Sequence, residues 1–324
     1  MLNITGKRFF ILLLILFVNT NIFAVAGVRY TKAYGRNYVY LRDVARYYGM
    51  KSSNDDKKTL LSSKYSHITF ITDKKYCYIN DIKVALLFSP IKYKSYRCIS
   101  SMDFLKTIDP IMRHWALRKN KVTKIMLDPG HGGKDKGASG KNFHEKTITL
   151  ALTRKVARLL IRSGFTVYLT RNSDRFIKLK NRPALARRAG ADVFISIHAN
   201  KTDKKSVTGV ESFCLTPAGA TSTYSRKPSS KVHPGNGNNA NNIALTYWIQ
   251  RSLVDKTKAV DRGVKHARFM VLKEASCPSV LVEAGFLSNA KEEKLLGTEA
   301  YQWKIARGIV QGILRYHYQL KRKK

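Results

Sequence analysis

The sequence predicts an α/β protein: a mainly parallel, twisted sheet with helices on both faces, preceded by a small α+β module. Three observations carry this reading. From residue 121 on, short apolar runs such as KIMLD, TVYLT, VFISIH and SVLVEA alternate with longer stretches whose apolar residues recur every three to four positions. That is the pattern of strands and helices taken in turn, and it buries both sheet faces under helices. Before residue 121 the chain is rich in tyrosine, lysine and short alternating runs, and it twice passes from a strand pattern into a short helix pattern. The length of 324 residues is enough for two modest cores.

The first element is a leader. MLNITGKRFFILLLILFVNTNIFAVAG opens with Lys7 and Arg8, continues through the apolar run Phe9–Val18, and reaches the small-x-small site Ala24-Val25-Ala26. These are the three parts of a secretory signal, and the apolar run is too short to span a bilayer. Cleavage is expected after Ala26, with residues 1–26 as signal peptide. The mature protein is expected to be exported to the periplasm or cell envelope.

Residues 27–120 make up the small module. NYVYLRDVARYYG (Asn37–Gly49) reads as a strand running into a short helix, and SYRCISSMDFLKTID (Ser95–Asp109) repeats that plan. Between them lie ITFIT and CYINDIKVALL, with Asn80-Asp81 at a hairpin turn. Spacing and apolar positions resemble the stalk-like domain at the N-terminus of copper amine oxidases, which recurs in exported wall proteins. The resemblance implies no copper here, because no ligand cluster is present. It leaves two expectations, a spacer or a module that binds the wall or an envelope protein.

Residues 121–324 make up the larger domain, entered through the basic connector RKNKVTK (Arg118–Lys124). KIMLD is a strand. Glu145–Ser163 is a helix, with Ile148, Leu152, Val156, Leu159 and Leu160 on one face and Gly164 as its stop. TVYLT is a strand and Arg182–Ala189 a helix. VFISIH, VESFCL, ARFMVL and SVLVEA read as further strands, and Ala240–Val254 and Ala300–Tyr316 as helices. Ligands in such sheets bind outside the carboxyl ends of the strands, so the chemistry is sought there.

The first strand ends in LDPGHGG (Leu127–Gly133), where Gly132 and Gly133 are expected to let the backbone crowd whatever His131 holds. His144-Glu145 opens the next helix, His198 closes VFISIH, and Glu283 ends SVLVEA as a carboxylate among apolar residues. Each has an ordinary structural explanation alone. Together they bring two histidines and two carboxylates to one edge of a sheet. Two imidazoles and a carboxylate form a common catalytic zinc set with a position left for water, and a further carboxylate can move protons. The helical arrangement HExxH does not apply, because Ile148 stands where its second histidine would be.

LDPGHGG, the HEK of His144–Lys146, FISIHAN and VLVEAGFLSN occur in this order. On these motifs the chain resembles the zinc-dependent N-acetylmuramoyl-L-alanine amidases of bacterial cell walls, over residues 122–317. The resemblance implies one Zn2+ on His131, Glu145 and His198, with Glu283 as catalytic acid/base. It implies that zinc-activated water cleaves the amide between the lactyl group of N-acetylmuramic acid and the L-alanine of the stem peptide. The implied partners are peptidoglycan or muropeptides, with an envelope protein on residues 27–120 if that module binds one; a monomer is expected. By matching position, Asn200 is expected to orient the ligand histidine or touch substrate. Arg171 is assigned to substrate binding, or alternatively to a structural pair with Asp174. His144 is expected to cap its helix or support the ligand beside it. The family usually has Ala-Asn where this chain has Ala186-Arg187, so no role of that asparagine carries over. Some members insert an inhibitory helix near Thr216–Asn239 that places a carboxylate on the metal. Here the segment is rich in Ser, Gly, Pro and Asn, is basic, and has no acid; the expectation is a mobile basic rim, with His233 in it off the metal.

Composition bears on partners more than on chemistry. There are 60 Lys+Arg against 21 Asp+Glu, a formal +39, which calls for an anionic partner. Nucleic acid is the first candidate from charge alone, but export and the lack of any nucleic-acid motif argue against it. An anionic wall polymer or membrane surface fits better, and a genome-wide basic drift would give the same balance. Cys77, Cys98, Cys214 and Cys277 make no zinc spacing; Cys77–Cys98 and Cys214–Cys277 disulfides or four free thiols are both open. Two rival readings remain. One is a penicillin-sensitive type of serine carboxypeptidase using an SxxK pair, Ser89–Lys92 or Ser288–Lys291. The other is a non-catalytic wall binder. Ser288-Asn289 also has a structural role available, since Asn289 and Glu292 have capping-box spacing.

Overall fold

The computed structural model describes residues 27–118 and 121–322. The leader read at 1–26, and Lys119 and Asn120 of the connector, lie outside the described residues. In the first stretch, β1 (Tyr30–Ala33) and β2 (Arg36–Tyr40) lead into α1 (Leu41–Tyr47). β3 (Lys51–Asn54), β4 (Lys58–Ser62), β5 (His67–Ile71), β6 (Tyr76–Ile79) and β7 (Ile82–Ala85) form an antiparallel meander. β8 (Ile91–Tyr93) and β9 (Tyr96–Ser100) then feed α2 (Ser101–Asp103), a π turn at Phe104–Ile108 and α3 (Asp109–Met112). The strand-into-helix plan is thus present twice. Between β6 and β7, Asn80 and Asp81 have φ of 46° and 67°. This is the left-handed pair that a two-residue type I′ hairpin requires.

The second stretch runs β10 (Lys124–Pro129), α4 (Glu145–Arg162), β11 (Thr166–Leu169), α5 (Asn181–Arg188), β12 (Val193–Asn200), β13 (Val210–Leu215), α6 (Asn239–Thr257), β14 (Asp261–Ala267), α7 (Met270–Lys273), β15 (Ser279–Phe286), α8 (Ala290–Leu296) and α9 (Glu299–Lys321). One expectation is corrected. ARFMVL is not a strand: β14 is DRGVKHA, and Met270–Lys273 is helical. A short apolar run does not separate strand from helix, and β14 was hidden because Arg262, Lys265 and His266 interrupt its apolar pattern.

All eleven strands of the large sheet lie in the order β11-β10-β12-β15-β13-β14-β7-β6-β5-β4-β3. β10 pairs in parallel with β11 and β12, β12 with β15, and β13 with β14, while β13 runs antiparallel to β15. The meander joins through β7, parallel to β14 at Val264↔Val84. β1, β2, β9 and β8 form a separate four-stranded sheet.

One face of the large sheet is covered by α4, α6 and α9. There Ile125, Ile195, Ile197 and Val282 pack with Leu152, Val156, Ile249 and Ile309. α5 and α7 cover part of the other face, over Met126, Phe194, Phe213 and Leu281. Burial on both faces explains the nearly unbroken apolar run of β12. A third cluster joins the two stretches: Ile68, Phe70, Ile79 and Val84 pack with Cys214, Ile243, Tyr247 and Val264, and the Tyr247 hydroxyl donates to the Ile79 carbonyl at 3.2 Å. Each such large apolar side chain contributes about 1.5–3 kcal/mol when fully buried, so this junction is a true core. Cys77, Cys98, Cys214 and Cys277 are all buried free thiols, spread over three apolar clusters; neither candidate disulfide is formed. Among the described residues no helix is long and apolar enough to cross a membrane.

Candidate metal centre and active site

Strand periodicity selects the face on which the site forms. Side chains alternate across a strand, so Phe194, Ser196 and His198 of β12 share the face covered by α5 and α7, while Ile195 and Ile197 face α4. His131 follows β10 in a left-handed conformation, φ 60°. Glu145 is the first residue of α4. Its carboxylate sits where the helix dipole favours negative charge, and it also accepts the Ala138 N–H at 2.7 Å and the Ala199 N–H at 3.1 Å.

These three residues converge. One donor atom from each of His131, Glu145 and His198 lies within 4.8 Å of the other two. His131 Nε2 is 3.1 Å from Glu145 Oε2, and His198 Nδ1 is 2.8 Å from Glu145 Oε1. The imidazole rings stand edge-on with centroids 5.1 Å apart. Burial works against the Glu145 carboxylate, but the two imidazoles outweigh it and hold its pKa well below the usual range. For His131, burial works downward and Glu145 and Asp135 more than reverse it. Nitrogen, nitrogen and carboxylate oxygen pointing at one spot are a donor set suited to zinc, with room for a fourth ligand.

The glycines that admit this packing are not the pair expected. A Cβ on Gly132 or Gly133 would strike the Arg175 carbonyl oxygen at 2.3 Å or the Phe176 nitrogen at 2.7 Å, so these two accommodate a neighbouring loop. The crowding around the converging side chains falls on Gly130, whose Cβ would lie 2.4 Å from His198 Cε1, and on Gly137, whose Cβ would lie 2.6 Å from Glu145 Oε2.

Outer partners fix both imidazoles. Asp135 Oδ2 lies 2.8 Å from His131 Nδ1, which leaves Nε2 free to face the shared spot. His198 Nε2 donates to Ser196 Oγ at 3.1 Å, and that hydroxyl donates to Asp128 Oδ2 at 2.8 Å. Asp128 in turn accepts from Thr170 Oγ1 at 2.6 Å and pairs with buried Arg182 at 2.8 Å. Arg182 also donates to the His131 carbonyl at 2.8 Å, tying α5 to the ligand loop. None of Asp135, Asp128, Ser196 or Arg182 was singled out from sequence. Ser196 had a signal, since it lies two residues before His198 on the same strand face.

Two expectations about Arg171 are corrected. Its side chain is fully buried and donates to the carbonyls of Pro129, Gly130, Lys146 and Ser173 at 2.9–3.1 Å, so it offers no surface to substrate. Asp174 pairs instead with Lys146 at 2.6 Å and accepts the Gly133 N–H at 2.7 Å.

Glu283 lies on β15 in register with His198. It is 9% exposed, and its Oε2 has no hydrogen-bond partner. Burial first, then the charges of Glu145 and Glu211, push its pKa well up against a smaller pull from Lys265. Glu211, directly opposite on β13, is also buried but fully engaged. It accepts from Asn200 Nδ2 at 2.9 Å and Arg262 Nε at 3.1 Å, and it contacts Lys265 Nζ. Asn200 thus orients Glu211 rather than His198.

His144 is the N-cap residue of α4, with Nδ1 2.9 Å from Ser139 Oγ. The segment after β13 presents Arg226, Lys227 and Lys231 as exposed basic residues, but it is tethered at its start. Ala220, Thr221 and Ser222 are buried, Thr221 Oγ1 donates to the Leu87 carbonyl at 2.6 Å, and the Thr223 N–H donates to the His266 carbonyl at 2.8 Å. His233 caps a short 3-10 turn at Pro234–Asn238 and is not in the ligand group. Ser288 Oγ accepts the Thr202 N–H at 3.2 Å, and no hydrogen bond links either SxxK serine to its lysine among the described residues. Asn289 caps α8 by accepting from the Glu292 N–H at 3.0 Å. The Glu292 side chain turns to the Gly209 and Phe286 N–H groups, so the capping box is half formed.

Comparison with known proteins adds the following. The family described as N-acetylmuramoyl-L-alanine amidase matches residues 125–315. The N-acetylmuramoyl-L-alanine amidase AmiA of Escherichia coli (strain K12) is 33% identical over 247 residues, covering 68% of this chain and 86% of AmiA. Among solved structures, the catalytic domain of CwlV, an N-acetylmuramoyl-L-alanine amidase from Bacillus (Paenibacillus) polymyxa var. colistinus, is 34% identical with a TM-score of 0.52, covering 60% of this chain and 98% of that one. The CwlD amidase from Clostridioides difficile, in complex with the GerS lipoprotein, is 35% identical with a TM-score of 0.51, covering 60% and 98%.

Proposed function

The chain belongs to the N-acetylmuramoyl-L-alanine amidase family, and on that premise we propose that His131, Glu145 and His198 hold one zinc ion while Glu283 moves the proton. The reaction is hydrolysis of the amide between the lactyl group of N-acetylmuramic acid and the L-alanine of the stem peptide in peptidoglycan or muropeptides. The observation that carries this reading is the convergence of three donor atoms within 4.8 Å beside a buried carboxyl whose Oε2 has no partner.

Bound zinc would supply Lewis acidity, polarising the scissile carbonyl and lowering the pKa of water from about 15.7 to about 7. The remaining work falls to the chain. Glu145 offsets positive charge at the site, and Asp135 and Ser196 hold the imidazoles in one tautomer and orientation. Glu283 Oε2, in a desolvated place with a raised pKa, is poised to take a proton from the attacking water. It then delivers that proton to the departing alanine nitrogen, which leaves poorly as an anion. A carboxyl with a raised pKa is a better base for the first step and remains an acid for the second.

We place the protein outside the cytoplasm, in the periplasm or cell envelope, on the strength of the leader at 1–26. Residues 27–120 are read as a module of the same protein. A protein partner for the amidase portion is in keeping with CwlD, whose structure includes a lipoprotein. Segment 216–239 carries no acid, so it cannot block the site with a carboxylate; purified protein is expected to act without an activator.

Mass spectrometry of muropeptides digested with and without a chelator tests the reading. Free stem peptides and intact lactyl-bearing glycan, lost on chelation, are expected. Release of terminal D-alanine with the lactyl amide intact would favour the serine carboxypeptidase instead.

A further inference from the structure

The sheet face that carries the candidate site continues beyond Glu283. Glu211 stands opposite Glu283 on β13, and Lys265 of β14 stands beside Phe213 on the same face. On β7, Val84 points into the shared core, so Lys83 and Ala85 flank it on the site's side. Strands lie about 4.8 Å apart, which puts β7 roughly 14 Å across the face from Glu283.

A cleft of about 340 Å³ opens there, lined among others by Lys75, Tyr76, Lys83, Thr223, Arg262 and Lys265. Its cations are of two kinds. Arg262 and Lys265 are engaged by Glu211. The cleft's one carboxylate, Asp261, is occupied by the N–H groups of Lys83 and Gly263 and by Gln250 Nε2, at 2.7–2.9 Å. Lys75 and Lys83 meet no carboxylate among the described residues. Lys75 Nζ donates to the Ser222 carbonyl at 3.2 Å, and the Lys83 ammonium lies 4.2 Å from the centre of the Tyr76 ring. Burial first, then repulsion from Arg268 and Arg226 against a pull from Asp103, keeps the Lys75 pKa below its ordinary value. Two ammonium groups that form no ion pair, in a concave site, draw an anion.

We propose that this cleft binds a carboxylate of the substrate's peptide arm, with Lys75 and Lys83 supplying the charge, so that the first stretch of the chain forms one wall of the substrate site. The inference rests on the amidase reading above. Distance selects the peptide arm: an extended chain covers about 3.3–3.6 Å per residue, so the roughly 14 Å from Glu283 to β7 is spanned by about four residues. A stem peptide cut at its first residue would deliver its terminal carboxylate to the cleft. Segment 216–239 completes the wall, since Thr221 and Thr223 fasten it to both stretches.

The test compares N-acetylmuramoyl tetrapeptides ending in a carboxylate or a carboxamide, cleaved by the zinc-loaded mature protein and by its Lys75→Gln and Lys83→Gln variants. Loss of a charge-assisted contact should raise KM about tenfold with kcat within about twofold. The amide-ended substrate should show this with the wild type, and each variant should show it with the carboxylate substrate and lose the discrimination. Equal KM for both substrates in the wild type, or full discrimination kept by both variants, would overturn the proposal. Should the wild type cleave neither substrate, the amidase reading falls, and calorimetric titration of the free tetrapeptide decides the cleft by itself. Binding about tenfold weaker in the variants upholds it; equal binding, or equally tight binding of inorganic phosphate, overturns it.

Discussion

Gly130→Ala tests the ligand cage without removing a ligand. Gly130 lies outside the left-handed region, so alanine there carries no backbone strain; its methyl would sit 2.4, 2.6 and 2.8 Å from His198 Cε1, Nδ1 and Nε2. Ordinary contact begins at 3.4 Å, so the ring must retreat by roughly 1 Å. The backbone cannot retreat instead: the Gly130 N–H donates to the Ile197 carbonyl at 2.9 Å, and its carbonyl accepts from Thr149 and from Arg171, each at 2.9 Å. Metal–ligand distances tolerate only about 0.2 Å, so His198 is lost as a ligand. Zinc affinity should fall at least about 100-fold, and overpacking should cost about 1–3 kcal/mol of stability. The control is Gly164→Ala, at φ +84° with nothing within 4 Å of its Cβ. It should cost about 1–2 kcal/mol from left-handed strain and leave zinc affinity unchanged. Competition against a chromophoric chelator, with thermal melts of the metal-free proteins, separates the two effects. A folded Gly130→Ala protein binding zinc within about threefold of wild type would refute the proposed geometry, since even loss of an orienting partner costs about tenfold.

Three other outcomes follow from the same structure. Glu283→Gln should keep its zinc, read by metal analysis, and lose about 10²–10⁴-fold in turnover; retained turnover in the metal-loaded variant would remove Glu283 from its role. Asp135→Asn should weaken zinc binding about 10–100-fold with little change in the melting temperature, because Asp135 touches the site and not a core. His266 is fully enclosed, and burial, helped by Lys75, lowers its pKa from 6.5 to about 4. A base with a depressed folded pKa takes up fewer protons when folded, so its contribution is present above pH 6.5 and is lost as pH falls toward about 4. Denaturant titrations across that window should show wild type losing about 3 kcal/mol more than His266→Leu; parallel losses would contradict the assignment.

What sequence reveals here depends on the range over which each feature is determined. The proposed metal site was legible because His131, His198 and Glu283 follow apolar runs while Glu145 opens a helix, and residues that are ordinary one by one gathered at one sheet edge. Glu211 is a carboxylate inside the apolar run VESFCL. Its meaning appears only when β13 is known to run antiparallel to β15, which no local pattern shows. β14 carries Arg262 and Lys265 toward the site face and encloses His266 beside Cys214 on the other, so polar residues break the apolar period on both faces. Ser196 and Asp128 are buried hydroxyl and carboxylate groups whose role depends on a partner 68 residues away. The continuity of the sheet from β14 into β7, and the fastening of segment 216–239 to Leu87, are long-range pairings without any local signature. They turn an apparent appendage and an apparent free loop into walls of one surface.

The inversion of β13 has a chemical consequence. Directly opposed residues in an antiparallel pair place their Cβ atoms about 4.5–5.5 Å apart, so Glu211 and Glu283 are two carboxylates held side by side in a buried layer. Their surroundings then divide them. Glu211 receives Asn200, Arg262 and Lys265, while Glu283 Oε2 receives nothing and feels the charge of its neighbour. One carboxylate is therefore pinned by hydrogen bonds, and the other is left free to gain and lose a proton. Such a separation of environments is how paired carboxylates acquire distinct roles. The clamp on Glu211 comes from β14, the strand that also receives β7. The surroundings of Glu283, the proposed proton carrier, are thus set by the same strand that joins the first stretch of the chain to the large sheet.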